Sequence, residues 1–101
     1  MKLEKVIKSD AKGKKFTAIF CMCEGKSCCK DADKKKIHFG SEGMDDYTIG
    51  ATDRQKKSYL ARHATGKNAK PDTANALSYH ILWNTKSREN NIMLFKKKYN
   101  V

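Results

Sequence analysis

The residues best suited to chemistry in this 101-residue chain are four cysteines, Cys21, Cys23, Cys28 and Cys29, with His38 downstream of them. Thiolates and imidazole are ligands that zinc favours, so these five residues form a candidate metal set. Structural zinc sites usually present two separated cysteine pairs, with about two to four residues between the members of each pair. Cys21-Met22-Cys23 followed by adjacent Cys28-Cys29 departs from that spacing. A disulfide across a hairpin, from Cys21 or Cys23 to Cys28 or Cys29, is the second chemistry open to them. A reducing cytosol favours free thiols, whereas a particle outside a cell meets oxidant. Free thiols and no cofactor are the expectation.

Acid–base chemistry would draw on Asp45, Asp46 and His63, or on Arg62 with His63 and His80. Paired acids after a glycine are more commonly turn or capping groups. Gly40-Ser41-Glu42-Gly43 has the outline of a phosphate-gripping Gly-x-x-Gly loop. Glu42, however, places negative charge where phosphate would sit, and the nucleic-acid version joins two helices while this one follows a strand. It reads as a turn. No complete Gly-x-x-x-x-Gly-Lys-Ser/Thr nucleotide loop, His-Glu-x-x-His pair or nucleophile elbow occurs. The sequence therefore predicts a protein that is not an enzyme and takes no small-molecule substrate.

Charge is the strongest compositional signal. The chain carries 22 basic against 11 acidic residues, a net +11 with a pI near 9.6, and 19 of the basic residues are lysine. Such a field favours acidic partners, whether nucleic acid, anionic lipid or an acidic protein surface. Lysine is a compact, hydrated point charge, while bidentate phosphate or base reading prefers arginine. The excess thus speaks for undirected attraction, and solvated surface lysine is the plainer reading of the same runs. The candidate contacts are Lys34, Lys35, Lys36, Arg54, Lys56, Lys57, Arg62, Lys96, Lys97 and Lys98. Trp83, Tyr47, Tyr59 and Tyr79 could stack nucleobases. In a chain with 39% hydrophobic residues, aromatic rings serve more often as core, and Trp83 is assigned there. No apolar run is long enough for a bilayer span, and no signal-peptide core follows Met1.

The elements that must position these groups form one domain over residues 1–101, of class α+β. Residues 2–8 read as an edge strand and 9–13 as a turn. Residues 14–23 alternate, with Phe16, Ala18, Phe20 and Met22 on one face and Thr17, Ile19, Cys21 and Cys23 on the other. Turn candidates follow at 24–27 and 31–33. Residues 34–39 return as a strand with Ile37 and Phe39 on one face, which completes a three-stranded antiparallel meander over about 2–39.

A small sheet with one apolar face has to be covered, and three helices supply the cover. Thr52-Asp53-Arg54-Gln55 matches a capping box for a helix over about 53–63, with Tyr59 and Leu60 inward and Arg54, Lys56 and Lys57 outward. Lys70-Pro71-Asp72-Thr73 ends one run and caps the next, a helix over about 73–83 carrying Ala74, Leu77 and Ile81. Ser87 caps a helix over about 88–99 with Ile92, Phe95 and Tyr99 in one stripe. The loop at 64–71 is the segment expected to move most.

Phe39-Gly40, Gly43-Met44-Asp45-Asp46-Tyr47-Thr48, Tyr59-Leu60-Ala61-Arg62-His63, Pro71-Asp72-Thr73-Ala74, Leu77-Ser78 and Ile81-Leu82-Trp83-Asn84 occur in that order, ahead of a basic helix rich in Phe and Tyr. In this order the chain resembles a family of small basic proteins encoded by large nucleocytoplasmic DNA viruses of algae and amoebae. The resemblance covers about residues 34–99 and rests on the ordered set rather than on any one motif. The cysteine-rich segment at 21–29 departs from the family pattern. So do Ala69, where relatives tend to carry a tryptophan nearby, and Asn75, where they tend to carry a glycine. The resemblance implies a viral origin and a role in the virion or viral factory, and supplies no catalytic residues. The function expected is a non-enzymatic structural component of a large double-stranded DNA virus particle. It would be a minor capsid or other virion protein docking between larger proteins with acidic surfaces. The alternative is nonspecific nucleic-acid binding in genome packaging, with viral DNA as partner. The expected location is the virion, and host cytoplasm or viral factory during assembly.

Overall fold

A computed structural model of the chain describes residues 1–22 and 33–101. Three strands, β1 (Lys2–Lys8), β2 (Lys14–Cys21) and β3 (Lys34–Ser41), pair antiparallel in the order β1-β2-β3. Three helices follow: α1 (Asp53–Arg62), α2 (Ala74–Leu77) and α3 (Arg88–Tyr99). This is the predicted α+β meander with its helical cover. The turn candidate at 24–27, most of that at 31–33, and Cys23, Cys28 and Cys29 lie outside the described residues.

The register places Phe16, Ala18 and Phe20 of β2 beside Val6 and Leu3 of β1 and beside Phe39 and Ile37 of β3. These residues make the face turned to the helices. Phe20 and Phe39 are fully buried there, with Leu3. β2 ends at Cys21, two residues earlier than the alternation suggested, and Met22 is exposed. The sheet also does not have a single apolar face. Thr17, Ile19 and Cys21 point the other way and are buried too. Ile19 sits between Lys5 and Lys36 in the register, where long aliphatic stems can shield it while the ammonium groups stay in water. A register shift between Leu3 and Lys5 kinks the edge strand, a feature that discourages pairing with another chain.

β3 runs through Ser41, two residues beyond the predicted strand end. Gly40 therefore lies inside the strand, at φ +78°, and a Cβ there would come within 2.9 Å of Leu82 Cδ1. Glycine allows both the left-handed backbone and this close approach of strand to helix.

The predicted second helix holds only one α-helical turn, α2, capped by Thr73 Oγ1 accepting from Ala76 N. It widens at once into a π-helical turn over Ser78–Leu82 that ends at Trp83. The wider turn rotates the chain so that Ile81, Leu82 and Trp83 are all buried in succession, together with Ala76 and Leu77. A regular α-helix would turn one of three consecutive residues away from the sheet. This short segment lies on β3, and α3 packs against its π-turn. α1 buries no residue fully; Tyr59 and Leu60 pack on the margin of the core.

α3 begins at Ser87, whose Oγ accepts from Asn90 N, and ends at Asn100 in the left-handed conformation. Its deepest residue is polar. Asn91 is fully buried and its Nδ2 donates to the carbonyls of Ile81 and Thr85 at 2.8 and 2.9 Å, while its Oδ1 accepts from Thr85 N at 3.0 Å. One amide thus ties the end of the π-turn and the following loop to α3. The 64–71 loop is likewise held down: Ala64–Asn68 forms a 3₁₀ turn, and Tyr99 Oη donates to Ala69 O at 2.8 Å.

Replacing Asn91→Ala removes these bonds and leaves buried carbonyls without donors. Each such group costs about 1–3 kcal/mol. Urea unfolding should show the midpoint falling with little change in slope, while Asn90→Ala, on the exposed face, should leave it within about 0.5 kcal/mol.

Candidate functional site

Two turns and two helix starts bring the polar motifs together. Asp46 caps a 3₁₀ turn over Tyr47–Ile49 by accepting from Thr48 N at 2.8 Å. Thr52 then opens α1 through the predicted capping box: its Oγ1 accepts from Gln55 N, and Gln55 Oε1 accepts from Thr52 N. Starting there, α1 brings Tyr59, Arg62 and His63 to the same side as the 43–46 loop. The π-turn brings Leu82 and Trp83 up beneath them.

The result is a cleft of about 630 Å³ between the open end of the β2–β3 pair, α1 and α2. Asp45, Asp46 and His63, three residues that the sequence alone did not tie together, all line it, and Arg62 joins them. His80 does not. Its Nε2 lies 2.9 Å from Lys67 O, and its ring sits among Tyr79, Phe95 and Tyr99.

The cleft has one rigid wall. The Tyr59 ring lies between His63 and Trp83, with centroids at 4.2 and 4.3 Å and interplanar angles of 24° and 8°. Two near-parallel neighbours at that distance must occupy opposite faces of the ring. Burial raises the Tyr59 phenol above its ordinary pKa of 10.0, against the opposing effects of the Ser78 hydroxyl and Arg62, so the group is protonated at neutral pH.

Asp46 is a structural group. It is buried, and its Oδ2 takes the Lys15 ammonium at 2.7 Å while Oδ1 takes the amide and hydroxyl of Thr48. Lys15 is itself largely buried. The backbone carbonyl of Asp46 accepts from the amides of Ile49 and Ala51. Lys15, with no sequence signal to mark it, closes the loop onto the sheet. Asp45 is exposed. Gln55, Asn75 and Ser78 also line the cleft; the sequence marked Gln55 as a helix cap and the other two through the resemblance, and none as a site residue.

Of the five candidate metal ligands, Cys21 and His38 fall among the described residues. Cys21 is in a disulfide, which corrects the expectation of a free thiol there. His38 Nδ1 lies 2.7 Å from Thr17 Oγ1 and 3.1 Å from Ser9 Oγ. No group of three or more His, Cys, Asp or Glu is placed to hold a metal ion among the described residues.

The ten basic candidates separate into two sets. Lys34 pairs with Glu4 at 3.3 Å, and Lys35 with Asp72 at 2.9 Å. The bond from Lys35 holds the Asp72 carboxyl below its ordinary pKa. Lys56, expected to face outward, instead donates to Asn84 O and lies over the Tyr47 ring, 4.8 Å from its centroid. Lys36, Arg54, Lys57, Arg62, Lys97 and Lys98 are exposed, and Lys96 is half-buried.

Two measurements check this division of roles. Asp46→Ala strands the largely buried Lys15 ammonium and should cost about 3–5 kcal/mol in chemical unfolding, whereas Asp45→Ala should change stability by less than about 0.5 kcal/mol. His80 gives a pH signature. Burial, the larger effect, and Lys98 lower its pKa below the ordinary 6.5, against the raising effect of the Lys67 carbonyl. Between the lowered value and 6.5 the unfolded chain holds more protons than the folded one, so stability rises with pH across that window. Acidifying below pH 6.5 should therefore destabilise the protein, and His80→Phe should flatten that slope. The other lowered pKa, at Asp72, acts below 3.8 and does not overlap.

Comparison with known proteins places the chain. A family of unknown function (DUF5754) matches residues 4–63, which span the sheet, the 43–46 loop and α1. An uncharacterized protein of Acanthamoeba polyphaga mimivirus is 39% identical over 87 residues, covering 78% of this chain and 79% of the relative. No solved structure matches. No helix among the described residues is long and apolar enough to cross a membrane. With more than half of its length matched, and with a relative of nearly the same extent in a large DNA virus, the chain belongs to the DUF5754 family.

Proposed function

We propose that this chain is a non-enzymatic structural component of a large double-stranded DNA virus particle, a minor capsid or other virion protein that docks between larger proteins with acidic surfaces. One observation carries the reading: folding leaves the positive charge outside. Three ion pairs occur among the described residues, Lys15–Asp46, Lys34–Glu4 and Lys35–Asp72. Each pair sums to zero charge, so the net +11 stays on the groups outside them. Among the candidate contacts, those exposed and outside the ion pairs come from three elements, Lys36 on β3, Arg54, Lys57 and Arg62 on α1, and Lys97 and Lys98 on α3. Charge spread over several faces suits a small wedge among several neighbours, where it steers assembly while apolar packing fixes the fit.

Asp46, the one fully buried carboxylate among the described residues, is held by Lys15 and Thr48 and serves to fasten the loop. The viral relative supports the setting, and the expected location is the virion, with host cytoplasm or the viral factory during assembly.

Genome packaging is the competing reading, and salt separates the two. A packaging protein binds duplex DNA tightly at physiological ionic strength and loses affinity steeply as salt rises, because each neutralised phosphate releases counterions. The docking reading predicts only weak duplex binding at about 0.15 M salt and recovery of the protein with the shell when purified particles are separated into shell and core. Tight, salt-sensitive DNA binding together with recovery in the core would replace docking by packaging.

A further inference from the structure

We propose that the cleft between α1, α2 and the open end of β2–β3 is a receptor for an acidic peptide segment of a partner protein. The inference rests on the docking reading and assigns it a site. Its first support is charge. Lys14 and Arg62 line the cleft, and neither is in an ion pair with any described residue. Lys15 and Asp46 neutralise each other. Asp45 is then the one carboxylate in the lining without an ionic partner, so the fixed charges are two positive against one negative, with the His63 imidazole beside Arg62. A carboxylate entering the cleft meets a guanidinium able to hold it through two parallel bonds.

The second support is the form of the lining. At about 630 Å³ the cleft has the size of sites that take a few residues or a small ligand. Its floor is Leu82 and Trp83, both buried, and its wall is the Tyr59 stack. Gln55 and Asn75 add amides, and Ser78 a hydroxyl. The Gln55 amide is oriented by the capping box and Asn75 by its bond to Thr65 Oγ1 at 3.1 Å. A peptide backbone presents both N–H and C=O groups, and a lining of amides and a hydroxyl answers both.

The same features disfavour a nucleic-acid strand. Base stacking needs an open ring face. Tyr59 has both of its faces covered, and Trp83 is only 8% exposed. The free Asp45 carboxylate would also repel a phosphate chain, while a peptide can meet it with a backbone N–H.

The test uses the full chain labelled with ¹⁵N and three probes at about 1 mM, the concentration at which contacts of this kind are populated. These are a hexapeptide alternating Glu and Gly, its Gln/Gly counterpart, and a thymidine hexanucleotide. The Glu peptide should move the indole resonance of Trp83, the single tryptophan, and the side-chain amides of Gln55 and Asn75. The Gln peptide should not. Lys14→Gln with Arg62→Gln should weaken binding about tenfold, as expected for the loss of two exposed ion pairs. Lys97→Gln with Lys98→Gln removes the same charge from α3 and should change it by less than about twofold. Equal losses in the two double variants, shifts mapping outside the cleft, or stronger cleft shifts from the hexanucleotide would overturn the proposal. If the peptide misses the cleft but the protein stays with the particle shell, the cleft assignment alone falls. If the peptide fills the cleft but the protein is absent from the shell, the structural reading falls.

Discussion

The fold depends on covering one aromatic sheet face with a very short piece of helix. Leu3, Phe20 and Phe39 present a surface that three strands cannot hide by themselves, and the cover comes mainly from residues 74–83. An ordinary α-helix of that length presents a stripe, whereas this segment has to present Ala76, Leu77, Ile81, Leu82 and Trp83. The π-turn at Ser78–Leu82 resolves the conflict by adding a residue to the turn. Two other features follow from it. Gly40 must lack a side chain because Leu82 presses on the strand, and Asn91 must satisfy the carbonyls that the irregular end of the helix leaves unpaired.

The cleft is a by-product of the same arrangement. Trp83 ends the π-turn with its ring against Tyr59, which pulls α1 to the edge of the core without burying it. The 43–46 loop is then fastened opposite by the Lys15–Asp46 pair. A buried pair of this kind is an uncertain source of net stability but a strong fixer of geometry, since either partner alone would be an uncompensated charge. Thus the residues that looked most like an acid–base set from their types line one cleft, and one of them is already committed to holding the loop. What is left over in the cleft is a modest excess of positive charge and hydrogen-bonding groups, which matches the character of the surface as a whole.

Much of this was legible beforehand, for physical reasons that can be named. The strands followed from alternation around Phe16, Ala18 and Phe20, and α1 and α3 from the caps at Thr52 and Ser87, because these are local signals. Of the turn expected at Gly40–Gly43, Gly40 and Ser41 belong to β3 and only Glu42 and Gly43 make the turn. The π-turn was hidden because Ala74, Leu77 and Ile81 fit α-helical spacing equally well. Asn91 was hidden because a buried amide has no period of its own. Lys15 was one lysine among 19, and only the fold distinguishes the one that is buried. Lys56 was misplaced for a related reason: its carbonyl partner, Asn84, lies 28 residues away.

The central claim is that this chain works by fitting its positive surface and cleft onto acidic protein neighbours. Zero-length carbodiimide cross-linking of intact particles, read by mass spectrometry, tests it most directly because it joins a lysine only to a carboxylate in contact. The account predicts links from Lys14, Lys57 and Lys97 to Asp or Glu of larger shell proteins, with the Lys14 link sensitive to Arg62→Gln. Links confined to genome-associated proteins, or no trace of the chain in the particle, would contradict it.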